Sequence, residues 1–243
     1  MRILVTGSAD GLGHAAAATL LESGHEVVVH VRNRDRLPAV RDLLDLGALT
    51  VVGDLAEMNQ VRDVAEQADA IGRMDSVIHN AGVSDRAVMP VNVVAPYLLT
   101  ALMARPDRLV YLSSGMHRGG SPALATADWS GDRREGDYSD SKLYVTTLMA
   151  ALARRWPGTL VNAVDPGWVP TRMGGRNAPD DLRLGHLTQE WLATSDDPEA
   201  LTTGGYWFHQ RRSDPPPSVH DERFQDRLVA SLAAYTGVDL PDI

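Results

Sequence analysis

The chain contains no cysteine, which excludes disulfides, thiolate metal ligands and a cysteine nucleophile. No run of basic residues stands out, and the formal net charge of −9 argues against a nucleic-acid partner, since phosphate-backbone binding depends on clustered cations. The N-terminal "MRILVTG" lacks the apolar region of a signal peptide. The most apolar long stretch, from Val88 to Ala104, is interrupted by Asn92 and two prolines and reads as a buried helix, not a membrane span of about 20 apolar residues. These absences lead us to expect a soluble, cytoplasmic protein with no membrane partner. Lysine is scarce as well: Lys142 is the only one among 23 lysine and arginine side chains. It stands four residues after a tyrosine, in "YSDSK".

What is present is an alternation of short β-branched runs with longer helical patterns. "RILVT", "EVVVHV", "LTVVG", "DSVIHN", "RLVYLSS" and "TLVNAVDPG" read as strands. Between them lie "LGHAAAATLLESG", "DRLPAVRDLLDLG" with Asp35 as N-cap, "EMNQVRDVAEQAD", Val88 to Ala104, and "YSDSKLYVTTLMAALARRW", all helical in pattern. Such alternation predicts right-handed βαβ units and a doubly wound parallel sheet with helices on both faces, a single α/β Rossmann domain. "RRSDPPPS" at 211–218 reads as a stiff surface loop. One domain over residues 1–243 is expected, with a last helix over 220–236.

The first strand runs into "TGSADGLG", where Gly7, Gly11 and Gly13 allow close approach of a pyrophosphate to backbone and to a helix N-terminus. Ser8 and Leu12 belong to the same loop. The acid expected about 20 residues further on, for an NAD ribose, is missing. "HVRNRD" puts Arg32 and Asn33 at the end of the second strand instead. An arginine offers planar donors to a 2′-phosphate, so NADP(H) is favoured over NAD(H).

In order along the chain, "TGSADGLG", "GDL", "HNAG", "VN", "YLSS", "YSDSK" and "DPGWVPT" resemble the motifs of the short-chain dehydrogenase/reductase superfamily. The resemblance covers roughly the first 170 residues. It implies catalytic roles for Ser114, Tyr138, Lys142 and Asn92: Tyr138 as general acid/base, Lys142 on the nicotinamide ribose and lowering the tyrosine pKa, Ser114 on the substrate oxygen, and Asn92 in a water-linked proton relay. It implies adenine contacts from Asp54 and Leu55, ribose-side contacts from Asn80, Ala81 and Gly82, and carboxamide contacts from Pro166, Gly167, Val169 and Thr171. The chemistry is consistent with these roles, since a free phenol at pKa about 10 needs tuning to work near neutrality. Residues four apart on a helix also share a face. Of "SS", Ser113 is expected to be structural.

The bland reading is preferred for other residues. His14, His30 and His79 have no metal-binding spacing and no metal site is expected. Tyr144 is read as packing, and His117, which could line the pocket, is read rather as part of a surface loop. The stretch from Gly82 to Asn92 and the helix after it are short for this family, which leaves the usual homo-oligomer possible but doubtful. The long Ser114 to Tyr138 interval resembles retinol-dehydrogenase-like reductases. A substrate lid is expected around 172–200, with Trp168, Met173, His186, Leu187 and Trp191 as pocket candidates. The expected activity is NADP(H)-dependent interconversion of a carbonyl and an alcohol on a small molecule. The alternatives are a non-catalytic NADP(H)-binding regulator and a nucleotide-sugar epimerase or dehydratase.

Overall fold

The computed structural model describes residues 1–132 and 138–241. The end of the long insertion before Tyr138, residues 133–137, lies outside the described residues. Six strands pair in parallel: β1 (Arg2–Val5), β2 (Glu26–Val31), β3 (Leu49–Val52), β4 (Ser76–His79), β5 (Arg108–Leu112) and β6 (Leu160–Asp165). β7 (Tyr206–Phe208) adds to them in parallel, and β8 (Arg211–Ser213) pairs antiparallel with β7. The strand order is β3-β2-β1-β4-β5-β6-β7-β8. Central strands such as "SVIH" and "RLVYL" are buried on both faces, as a helix-covered parallel sheet requires. The antiparallel β8 corrects the expectation that 211–218 is all loop.

The helices divide between the faces. α1 (Gly11–Glu22), the short α2 (Arg41–Asp45) and α6 (Leu182–Thr194) enclose one core with Ile3, Val29 and Val164. The other core lies under α3 (Met58–Ile71), α4 (Ala95–Leu102), α5 (Tyr138–Arg155) and α7 (Glu222–Thr236), centred on Leu4, Tyr97, Leu148 and Trp156. The helix expected from Asp35 to Gly47 is instead a 3-10 segment over Arg34–Val40, followed by α2. Pro38 inside it supplies no N–H and breaks the α-helical ladder. α6 is capped by Asp181, whose carboxylate accepts from the amides of Arg183 and Leu184. Such a cap contributes about 1 kcal/mol.

The C-terminal segment closes over α4 and α5. α7 packs along α5, and its last residue together with the tail beyond it supplies acceptors to side chains far back in the chain. Tyr97 Oη donates to the Val238 carbonyl at 2.7 Å, Trp156 Nε1 to Pro241 at 3.3 Å, and Arg62 Nη2 to Thr236 at 2.8 Å. Each such bond is worth about 1 kcal/mol net, but an unpaired buried phenol would cost more than that. α4, save its last two residues, and residues 141–152 of α5 are therefore buried within this one chain.

Candidate active site

β5 ends at two serines, and consecutive residues of an extended chain face opposite ways. Ser113 points inward, its hydroxyl 2.6 Å from Thr146 Oγ1. Ser114 is half-buried and caps the short 3-10 turn at 115–119, its oxygen accepting from the Met116 amide at 3.2 Å. Its hydroxyl faces the phenol of Tyr138 closely enough to oppose the rise in that group's pKa. Accepting from an amide leaves the serine its own proton to give, to the phenol or to a substrate oxygen.

Tyr138 opens α5 and Lys142 follows one turn later on the same side, its Nζ 5.4 Å from the phenol ring centroid. Lys142 is 4% exposed, and its Nζ donates to the Leu112 carbonyl at 2.8 Å. Asn92 sits in a π-helical turn over Pro90–Val94, a distortion frequent at functional sites. Its Nδ2 donates to Val83 O at 3.0 Å and Ser141 Oγ at 2.9 Å, while its Oδ1 accepts from the Val83 amide at 2.9 Å. The side chain thus braces the 80–83 segment against α5. A Cβ on Gly82 would lie 3.5 Å from both Asn92 Oδ1 and Lys142 Nζ, so these three residues converge.

Electrostatics here differ from the expectation that Lys142 lowers the tyrosine pKa. Burial pushes the Tyr138 phenol up to about 12, with the Ser114 hydroxyl opposing and the negative charge of Asp165 adding to the rise. The lysine points at a backbone carbonyl instead of the phenol oxygen. Burial also pulls Lys142 down to about 8, against the attraction of Asp165. Desolvation outweighs the charge partner in both cases. Near neutral pH, Tyr138 is a phenol and Lys142 an ammonium.

Asp165, Tyr206 and His117 were not predicted as part of this site. Asp165 ends β6, and its Oδ1 accepts from the Gly167 amide at 3.0 Å. Tyr206 on β7 has its Oη 3.3 Å from His117 Nδ1, and burial together with the charge of Asp165 holds its phenol well above the usual range. His117 is buried, not a surface residue, and its Nδ1 lies 2.6 Å from the Ser114 carbonyl. Its ring packs against Tyr206 at 4.5 Å between centroids. Only the "DPG" string carried a signal, because the others come together through strand order and not through spacing.

The nucleotide-side residues form a cleft where the strand order reverses between β1 and β4, the place where open α/β sheets bind ligands. Gly7 has φ +69 and a Cβ there would lie 2.9 Å from Ala81 Cα. On Gly13 a Cβ would overlap the Asn80 amide and the Gly7 carbonyl. Asn80 Nδ2 donates to Thr6 O at 2.9 Å, and the Ala81 amide to Thr6 Oγ1 at 3.0 Å. The N-cap Asp10 makes no side-chain bond to the first amides of α1, pairing with Arg36 at 3.2 Å instead. Helix amides at Leu12 and Gly13 are left for an anion, and a dinucleotide pyrophosphate fits that cradle.

The far wall is the 166–171 segment. Val169 is buried, and Thr171 reaches within 3.2 Å of where a Cβ on Gly11 would stand. Pro166 and Gly167 form the bend after Asp165. At the other end Arg32 is 65% exposed with its Nε 3.9 Å from Asp54, beside the exposed Asn33. Asp54 Oδ1 accepts from the Ala56 amide at 3.0 Å, and Leu55 is buried beneath.

Of the lid candidates, Trp168 and Met173 are exposed at this wall. His186 is buried against Glu190, and Trp191 packs edge-on to Trp207 at 5.1 Å. α6 belongs to the core against α1. Gly13→Ala forces backbone to move, at about 1–3 kcal/mol for overpacking. A lowered melting temperature together with weakened nicotinamide-nucleotide binding is expected, measurable by thermal denaturation and calorimetry.

The short chain dehydrogenase family model matches residues 1–115. Short-chain dehydrogenase chyC of Penicillium rubens is 37% identical over 99% of this chain and 99% of its own. DnrU of Streptomyces sp. strain C5, provisionally named a daunorubicin C-13 ketoreductase, is 32% identical over 97% of this chain and 92% of its own. Retinol dehydrogenase 13 of Homo sapiens is 25% identical over 99% and 86%. A short chain dehydrogenase of Shigella flexneri 2a, solved in complex with NADP, superposes with a TM-score of 0.68 at 25% identity over 86% of this chain and 97% of its own. The chain belongs to the short-chain dehydrogenase/reductase family, oxidoreductases that bind nicotinamide cofactors and act on small molecules. Among the described residues no helix is long and apolar enough to cross a membrane.

Proposed function

We propose that the chain is an NADP(H)-dependent oxidoreductase that interconverts a carbonyl and an alcohol, with Tyr138 as the proton donor. The observation that carries this reading is the grouping of Ser114 at the end of β5 with Tyr138 and the buried ammonium of Lys142 one turn apart at the start of α5. A carbonyl oxygen accepting from both hydroxyls would be held and polarised by two donors. When bound, NADPH would supply the hydride. Tyr138, protonated at neutral pH, is in the form that gives its proton to the developing alkoxide when a carbonyl is reduced. Lys142 then stabilises the phenolate left behind. Asn92 holds the 80–83 segment and α5 in one register, keeping Lys142 beneath the phenol. Residues 172–181, with the exposed Trp168 and Met173, are read as the substrate lid.

The preference for NADP(H) is assigned to Arg32, the exposed cation at the end of β2. A charge-assisted bond to a 2′-phosphate is worth about 1.5–3 kcal/mol. Arg32→Ala is therefore expected to lower the NADPH-over-NADH preference about tenfold to a hundredfold, measured as the ratio of kcat/KM values. An unchanged ratio would remove Arg32 from the phosphate site. The function itself is tested by following NADPH consumption over a panel of aldehydes and ketones. Binding of NADPH without turnover on any of them would point to a non-catalytic regulator.

A further inference from the structure

Strand β2 reads "EVVVHV", with a histidine in a run of valines. The ring of His30 is buried, a costly place for a polar group unless both nitrogens are used. Both are. The Gly7 amide donates to Nδ1 at 3.1 Å, and Nε2 lies 2.8 Å from the Gly53 carbonyl. An amide can only donate and a carbonyl can only accept, so Nδ1 is bare and the proton sits on Nε2. The backbone of the same residue is tied as well. His30 O accepts from the Ser8 amide at 3.1 Å, and the His30 amide donates to Ser8 Oγ at 3.2 Å. Ser8 Oγ in turn donates to Val5 O at 2.5 Å.

We propose that His30 is a positioning residue of the nucleotide cleft, its neutral imidazole locking the glycine loop at Gly7 to the 53–55 segment. The inference rests on reading that cleft as the NADP(H) site. Gly7 lies in the left-handed region at φ +69, and the bond to His30 fixes where its amide points and hence the path of the loop toward Gly11 and Gly13. Gly53 begins the segment that continues through Asp54 and Leu55. One imidazole therefore sets the spacing between the pyrophosphate side and the adenine side of the cleft. An apolar residue could fill this volume but could not define that spacing.

The bridge requires the neutral ring, since a protonated Nδ1 would meet the Gly7 N–H donor to donor. Burial lowers the His30 pKa, opposed by the Gly53 bond and by Asp54. Asp54, beside Arg32, is the charged neighbour after β3. On the loop and α1, Asp10 pairs with Arg36 and His14 with Asp42. Of the flanking strands, β3 carries no charge, and Arg2 of β1 pairs with Glu26 at the far end. A histidine kept neutral in the folded state costs stability once the unfolded chain begins to take up its proton. Stability is therefore lost as pH falls below about 6.5.

The test compares His30→Asn, His30→Gln and His30→Phe, titrated calorimetrically with NADPH and melted without ligand at pH about 7.5 and about 6.0. The asparagine oxygen can take the Nδ1 position and accept from Gly7, whereas glutamine reaches only the Nε2 position. NADPH affinity is expected to fall about tenfold or more in the Phe and Gln variants and by less in Asn, which keeps the bond from Gly7 while giving up the one to Gly53. Equal affinity of wild type and a folded Phe variant, or an Asn variant no better than Gln, would overturn the proposal. The melting arm stands apart from the cofactor: wild type should lose more stability on acidification than the Asn variant, and equal losses count against His30. Should wild type bind neither NADPH nor NADH, the reading of the cleft fails, and the melting arm alone decides on His30.

Discussion

Tyr138→Phe is expected to lower the rate of NADPH-driven carbonyl reduction by roughly a thousandfold, within the range for loss of a general acid, while NADPH binding persists. The phenol is held in its protonated form by burial and by Asp165, with its pKa near 12, so the proton is present at every pH where the enzyme would work. Phenylalanine preserves the ring that packs at the start of α5 and removes only the oxygen. Ser114 would keep its bond from the Met116 amide, at 3.2 Å, and could still polarise a carbonyl alone. Residual activity should therefore be measurable and should lack dependence on the tyrosine. Steady-state kinetics paired with calorimetric NADPH binding check this. Turnover within a few-fold of wild type would rule out Tyr138 as the donor.

Lys142→Arg is expected to cost about a hundredfold in kcat, the scale of a misplacement of about 1 Å at a reacting centre, even though the charge is kept. Lys142 is buried, its Nζ is 2.8 Å from the Leu112 carbonyl, and Gly82 and Asn92 crowd the same end. A planar guanidinium is larger than an ammonium and cannot occupy that point without moving one of them. The lysine pKa of about 8 adds a readout. Wild-type activity should decline above about pH 8, as the ammonium is lost, whereas arginine stays charged and its residual activity should not decline there. Comparing the two pH profiles separates a role for the charge from a role for its position. A variant with near wild-type kcat would remove Lys142 from the centre of the site.

Much of the architecture could be read from residues alone because it depends on local patterns. Valine runs with no polar face signalled strands buried on both sides, and the glycine loop was visible by its place between β1 and α1. The exceptions have physical causes. β8 escaped notice because its hairpin turns through His209 and Gln210, both with positive φ, where Gly or Asn would have given the usual sign of a primed turn. Pro38 converted an amphipathic stretch into a 3-10 segment. In the site, Ser114, Tyr138 and Lys142 were legible through motif spacing. Asp165, Tyr206 and His117 were not, since β5, β6 and β7 must first be laid side by side for them to meet. His30 was dismissed for lack of a metal partner, whereas its partners are backbone groups that no side-chain pattern reveals.

The packing of α7 and the 237–241 tail over α4 and α5 also orders events in time. Arg62 finds its acceptor at Thr236, 174 residues later, and Arg154 bonds Gln225, 71 residues later. During synthesis the chain emerges from its N-terminal end at about 5–20 residues per second. For several seconds the helix that carries Tyr138 and Lys142 has its outer face bare. The site-bearing helix is thus sealed by a segment made well after it, and the same apolar face that completes the core would in the interim lie open to solvent.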